Sequence, residues 1–297
     1  MMRYLSYLYS RLDSDDLLAL GLGDWCQPGK KGGGYDTPLV VTDSIVSIDI
    51  ARKAEFIYGE LDMPEQKQYA KALAERITKA FRKKLIKDGL VEGSTQTGQA
   101  MALYYGMIEE KDKNAAFSYL LKFIEEKGGH LYTGVLGAAV IFRVLSDFGR
   151  EDLAFDMITR TDFPSYGNWI ARGATTLWER FWAEDEEPYS MNHHFWGTVS
   201  AWFYSYLAGI RINPEGSDIN NIDIAPYFVN KLNYAKAETL CSGGKIRVEW
   251  LRNNDEIELS VDVPENIYGE IKLQSNFRFA DTNQNIKPLK TGKYIIK

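Results

Sequence analysis

The chain has 297 residues and a formal charge of −6, from 35 basic and 41 acidic side chains. With 45% hydrophobic residues and nine prolines it can bury a core, which excludes a disordered chain. The mild acidity contains no basic block, which argues against nucleic acid as a partner, and no apolar run reaches the ~18 residues of a membrane span.

In chain order, Met1–Leu5 contains no apolar signal-peptide segment, so no secretion address is expected and the compartment stays open. The segment Gly21–Leu22–Gly23–Asp24–Trp25–Cys26–Gln27–Pro28–Gly29 describes a rigid turn that presents a carboxylate beside a flat apolar face. An Asx-type turn over a buried tryptophan accounts for the same residue types. Ile45–Tyr58 is apolar nearly all round, as expected of a helix covered on both sides. Across 64–85, Tyr69, Leu73, Ile77, Ala80, Phe81 and Leu85 recur at three- and four-residue spacing, which predicts an amphipathic helix. Asp62 is expected to cap it, with Pro64 in the first turn. Further helices are predicted near 97–108, 114–126, 134–148, 151–159 and 195–208, with short polar or glycine-bearing joints between them. This is a succession of helical hairpins.

Two more segments concentrate aromatic and polar residues. Trp169, Trp178 and Trp182 lie close together, and Trp178–Glu179 sets an acid beside an aromatic face, where desolvation suits it to proton transfer. Aromatic clusters also build cores, and Glu179 could instead pair with Arg180. In Tyr189–Ser190–Met191–Asn192–His193–His194–Phe195–Trp196–Gly197, adjacent histidines diverge and make a poor metal motif. No metal or cofactor is expected. The acidic run Glu184–Glu187 reads as a solvated loop, with calcium as an outside alternative. Cys26 and Cys241 fit no metal or disulfide pattern.

Beyond the breaker cluster Asn213–Pro214–Glu215–Gly216 the period becomes two. Ile246, Val248 and Trp250, then Ile257, Leu259, Val261 and Val263 across a turn at Asn253–Asn254–Asp255, predict an antiparallel hairpin with one buried face. Ile271/Leu273 and Tyr294–Ile296 predict further strands, and 212–297 suits a small sandwich.

Taken together and in order, these segments resemble the bacterial α-L-rhamnosidases of glycoside hydrolase family 78. The likeness lies in Gly23–Asp24–Trp25, Gln96–Thr97, Thr133–Gly134–Val135–Leu136–Gly137, Ala174–Thr175–Thr176–Leu177–Trp178–Glu179–Arg180, and Asn192–His193 followed by Gly197. Ile224–Ala225–Pro226 and the Ile246–Val263 hairpin resemble that family's C-terminal sandwich. The resemblance implies an (α/α)6 barrel over 1–211 and a β-sandwich over 212–297. It implies cleavage of terminal α-L-rhamnose from glycosides or polysaccharides with inversion, which uses two carboxyl groups. By that match Glu179 is the general base, Asp24 and Trp25 are pocket walls with Trp169 and Trp178 beside them, and His193 contacts a sugar hydroxyl.

The family's general acid lies in an Arg–x–Glu–Arg–x–Gly–Trp–x–Gly–Asp type segment, which has no counterpart in this chain. About eight helical stretches are read against about twelve in a closed ring of six hairpins. The expectation is therefore the C-terminal part of a longer enzyme, its barrel completed by upstream sequence. On its own it would be nearly inactive and prone to self-association through uncovered apolar faces. Two alternatives stand beside it: an active relative whose acid is rebuilt at Asp24 or Asp36, and a carbohydrate-binding remnant without catalysis.

Overall fold

The computed structural model describes residues 1–31, 33–183, 189–212, 218–254 and 256–297. The acidic run Glu184–Glu187, the Asn213–Gly216 breaker and Asp255 of the expected turn lie outside the described residues. The chain divides into two compact units, 1–148 with 156–196 and 149–155 with 197–297. Among the described residues no helix is long and apolar enough to cross a membrane.

The helices are α1 (Met2–Ser10), α2 (Leu39–Glu60), α3 (Pro64–Leu85), α4 (Gln96–Tyr104), α5 (Lys113–Glu125), α6 (Val135–Asp147), α7 (Glu151–Thr159) and α8 (Tyr166–Ala171). A minimal hairpin, β1 (Ile86–Lys87) with β2 (Leu90–Val91), follows α3. In the first unit α2 packs against α3, and α4 against α5 and α6, the hairpin succession that the sequence predicts. On α3, Ala70, Leu73, Ile77 and Phe81 are buried on one side and charged residues stay outside. Helix α2 buries Val41, Ile45, Ile48 and Ala51 together with Thr42 and Ser44. Buried surface of both characters is what a helix covered on two sides requires.

Asp62 does not cap α3. Its backbone is left-handed (φ 56°), and the N–H groups of Asp62 and Met63 donate to Gly59 and Tyr58, so these residues close α2. Helix α4 is capped by Thr95, whose hydroxyl accepts from Gly98 N at 3.0 Å. Its buried glutamines tie loops down. Gln96 donates to the carbonyls of Phe123 and His130 and accepts from Tyr132 N, while Gln99 links Val91 N and Gly89 O.

The second unit begins differently from the single helix expected over 195–208. Helix α9 covers only Thr198–Trp202 and continues as a π-helical turn, Phe203–Leu207. Gly209 then turns the chain at φ +81°, where a β-carbon would stand 2.2 Å from Pro226 N. The strands are β3 (Ile210–Ile212), β4 (Ile222–Ile224), β5 (Tyr234–Cys241), β6 (Gly244–Asn253), β7 (Glu256–Asp262), β8 (Glu270–Lys272), β9 (Ile286–Pro288) and β10 (Gly292–Ile296). They form two four-stranded sheets, ordered β10-β7-β6-β5 and β3-β4-β8-β9, antiparallel apart from the short β4–β8 pair. Ile246, Val248, Trp250, Ile257, Leu259 and Val261 from one sheet share a core with Ile222, Ile224 and Ile271 from the other. That is a sandwich. Trp250 is fully buried in it and donates its indole N–H to Leu207 O at 2.8 Å.

Candidate active site

Asp24 is fully enclosed and its carboxylate is saturated. One oxygen accepts from Thr97 Oγ1 and, at 2.6 Å, from Gly134 N; the other accepts from Leu136 N and Gly137 N at 2.9 and 3.0 Å. Three of these donors are main-chain groups at the N-terminus of α6, where free N–H groups and the helix dipole favour an anion. Burial pushes the Asp24 carboxyl up despite these four bonds. Asp24 is therefore turned into the protein with both oxygens engaged, and it is not among the residues that line the neighbouring cleft. Asp24 instead ties its loop to α4 and α6.

Trp25, the next residue, faces the other way. Its ring is half-buried and lines a cleft of about 620 Å³, within the range of small-ligand sites. Val46 and Ser47 of α2, Val135 and Leu136 of α6, Tyr4 of α1, Leu22 and Phe195 complete most of the wall. Two carboxylates open on it, Glu179 and Asp43.

Glu179 stands on an irregular segment held by its backbone. Glu179 N donates to Ser190 O (2.9 Å), Trp196 Nε1 donates to Glu179 O (2.8 Å), and His193 N donates to Leu177 O (2.8 Å). Ser190 N donates to Glu179 Oε2 at 3.2 Å, which orients the carboxylate and leaves Oε1 for another partner. Arg180 turns away, its guanidinium 3.7 Å from the centre of the Tyr189 ring.

Beneath this segment lies an aromatic block. Trp178 stacks on Trp182 with centroids 4.5 Å apart, Trp169 stacks on Phe181 at 4.2 Å, and Trp169 also meets Tyr166, Trp178 and Trp196. Trp169 and Trp178 are buried, and neither is among the residues that line the cleft. His193 does not line it either. Its ring packs edge-on against Phe195 with centroids 3.8 Å apart, and its Nδ1 accepts from Phe195 N. Asp36 is exposed, paired with Lys30 and bonded to Gln27 at 2.8 Å. Burial pushes its carboxyl up, but Lys30 and Gln27 outweigh that and hold it below the ordinary range, the wrong direction for a proton donor.

Sequence reasoning missed Asp43. It projects from α2, and its Oδ2 accepts from Leu20 N and Gly21 N, both at 2.7 Å. The available signal was a run of three polar residues, Thr42–Asp43–Ser44, between the apolar Leu39–Val41 and Ile45–Val46 at the head of the helix. Among the described residues no group of three or more His, Cys, Asp or Glu side chains is placed to hold a metal ion.

Comparison with known proteins agrees with this architecture. Residues 1–207 match the bacterial alpha-L-rhamnosidase six-hairpin glycosidase domain, and 209–283 match the bacterial alpha-L-rhamnosidase C-terminal domain. An alpha-L-rhamnosidase of Alteromonas sp. (strain LOR) is 29% identical over 99% of this chain and 33% of its own length. One from Formosa agariphila is 32% identical over 92% of this chain and 31% of its own. Two solved structures share the fold at 27% identity and cover 99% of this chain: the alpha-L-rhamnosidase from Dictyoglumus thermophilum (TM-score 0.88, 36% of that chain) and the Streptomyces avermitilis enzyme complexed with L-rhamnose (TM-score 0.85, 30%). The chain thus spans about a third of the length of the curated relatives it matches.

Proposed function

The chain belongs to the bacterial α-L-rhamnosidase family, and from that membership we propose that it carries the water-activating side of an inverting α-L-rhamnosidase site. Glu179 is the general base. Its Oε1 takes a proton from a water as that water's oxygen bonds the anomeric carbon, and the bond to the leaving oxygen breaks on the opposite face of the sugar. Trp25 and Phe195 supply flat apolar walls for the sugar ring, and Asp43, held by two main-chain N–H groups, accepts a sugar hydroxyl. The proton for the leaving oxygen comes from the family's acid segment, which this chain does not contain. The observation that carries the reading is the open, backbone-oriented carboxylate of Glu179 in an aromatic-walled cleft, with Asp24 closed off and Asp36 tied to Lys30. The relative bound to L-rhamnose supports rhamnose as the sugar.

A substrate whose leaving group departs without protonation isolates this half-reaction. The chain is expected to hydrolyse 2,4-dinitrophenyl α-L-rhamnoside, to release β-L-rhamnose first, and to lose about 10²–10⁴ of that rate in Glu179→Gln. Rhamnose binding with no Glu179-dependent turnover would instead identify a binding protein.

A further inference from the structure

Gly33 lies against the benzene half of the Trp25 indole. A β-carbon on Gly33 would stand 2.2 Å from Cη2 and Cζ3 of that ring and 2.3 Å from Cζ2. Non-bonded carbons rest at about 3.5–4.0 Å, so any side chain at position 33 must move the ring or the backbone that carries it. Gly33 is not among the glycines with left-handed backbone, and an L-residue fits its conformation. The three atoms nearest to a side chain there all belong to the indole.

Both partners are fixed from behind. The Trp25 carbonyl accepts from Val135 N at 3.0 Å, and Gly134 approaches so closely that its β-carbon would stand 2.4 Å from that same oxygen. The backbone at Trp25 therefore cannot retreat, and the ring is the part free to yield. On the other side, Gln27 and Asp36 exchange two hydrogen bonds, Gln27 Nε2 to Asp36 Oδ2 and Asp36 N to Gln27 Oε1, each 2.8 Å, and Lys30 pairs with the same carboxylate. This staple closes the segment that holds Gly33.

We propose that Gly33, held by the Gln27–Asp36 staple, is a positioning residue that sets the Trp25 ring in the cleft and so sets its affinity for the sugar. Gly33 does not itself line the cleft and acts only through the indole. The affinity part rests on the reading of this cleft as a rhamnose site.

The test uses the full chain labelled with 5-fluorotryptophan, with the Trp25 ¹⁹F resonance assigned by Trp25→Phe. Gly33→Ala is expected to shift that resonance and leave the other six in place, to keep the melting temperature, and to weaken L-rhamnose binding about tenfold. In a Trp25→Ala background the same change is expected to have no further effect on binding. Asp36→Ala, which leaves Gly33 intact, is expected to broaden or shift the Trp25 resonance as well. An unmoved Trp25 resonance in both variants, or an equal loss of affinity in the two backgrounds, would overturn the proposal. Failure of the native chain to bind L-rhamnose would sink the rhamnose reading instead, and the fluorine signal alone would decide whether Gly33 places the ring.

Discussion

Asp24 and Trp25 are neighbours with opposite tasks, one turned into the protein and the other into the cleft. The glycine-flanked Asp–Trp pair was legible as a turn, but which of the two faces outward was not. That depends on three N–H groups of α6, more than a hundred residues away. Each carboxylate oxygen of Asp24 receives two donors, so an asparagine has no orientation that avoids setting its NH2 against an N–H. Asp24→Asn is expected to cost about 1–3 kcal/mol and Asp24→Ala about 3 kcal/mol or more, read by urea unfolding. A sugar-contacting aspartate would lose affinity and leave stability unchanged. Cys26, at φ 63°, is a second residue whose state follows from its surroundings. Burial, then the nearby charge of Glu179, pushes its thiol up to about 11, so on the order of a thousandth is thiolate at pH 8. Iodoacetamide at that pH is expected to label the half-buried Cys241 in minutes and Cys26 only after denaturation, as mass spectrometry of the two peptides would show.

Elements were legible where side-chain size carried their period. Helix α3 and the β6–β7 hairpin alternate large apolar with charged residues, and both stand where the pattern puts them. Strand β5 was missed because its inward residues, Ala235, Ala237 and Thr239, are small, so the period of two is present without hydrophobic contrast. Helix α1 was missed for the opposite reason: Tyr4, Tyr7 and Tyr9 stay exposed, and only Leu5 and Leu8 are buried. The aromatic residues around Glu179 fit either a core or a sugar platform by type alone, and in the structure Trp178 stacks on Trp182 and Trp169 on Phe181. Two tryptophans make that distinction measurable. Among the described residues Trp169 is buried with no acceptor for its indole N–H, while Trp250 donates its own to Leu207 O. Trp169→Phe removes an unpaired polar group and is expected to change stability by less than ~1 kcal/mol. Trp250→Phe strands a buried carbonyl and is expected to cost about 1–3 kcal/mol more. Thermal melts of both variants, with rhamnose affinity unchanged in each, would bear out their placement in the cores.

At the scale of the whole chain, motif order made the fold class legible, because five short segments in register carry information that no one of them does. The partition of chemistry was less legible, since it depends on which carboxylates reach open space. On the proposed reading, the described cleft offers Glu179 as a base, aromatic walls and Asp43 as an acceptor for a hydroxyl, and the acid segment that the resemblance implies has no counterpart in the sequence. A site with a base and no acid depends steeply on its leaving group, because the departing oxygen must carry its negative charge unaided. Across a series of aryl α-L-rhamnosides, the rate is therefore expected to fall steadily as the phenol becomes less acidic, with alkyl rhamnosides not hydrolysed. The pH–rate profile is expected to show an acid limb and no alkaline one, since the second limb of a bell reports the acid. Adding the acid-bearing portion of a relative, expressed separately, should flatten the leaving-group dependence and raise turnover of poor substrates by about 10²–10⁴ if the two parts dock. A flat dependence for the chain alone would mean that it holds its own proton donor, and Asp43, the other carboxylate on the cleft, would be the residue to replace first.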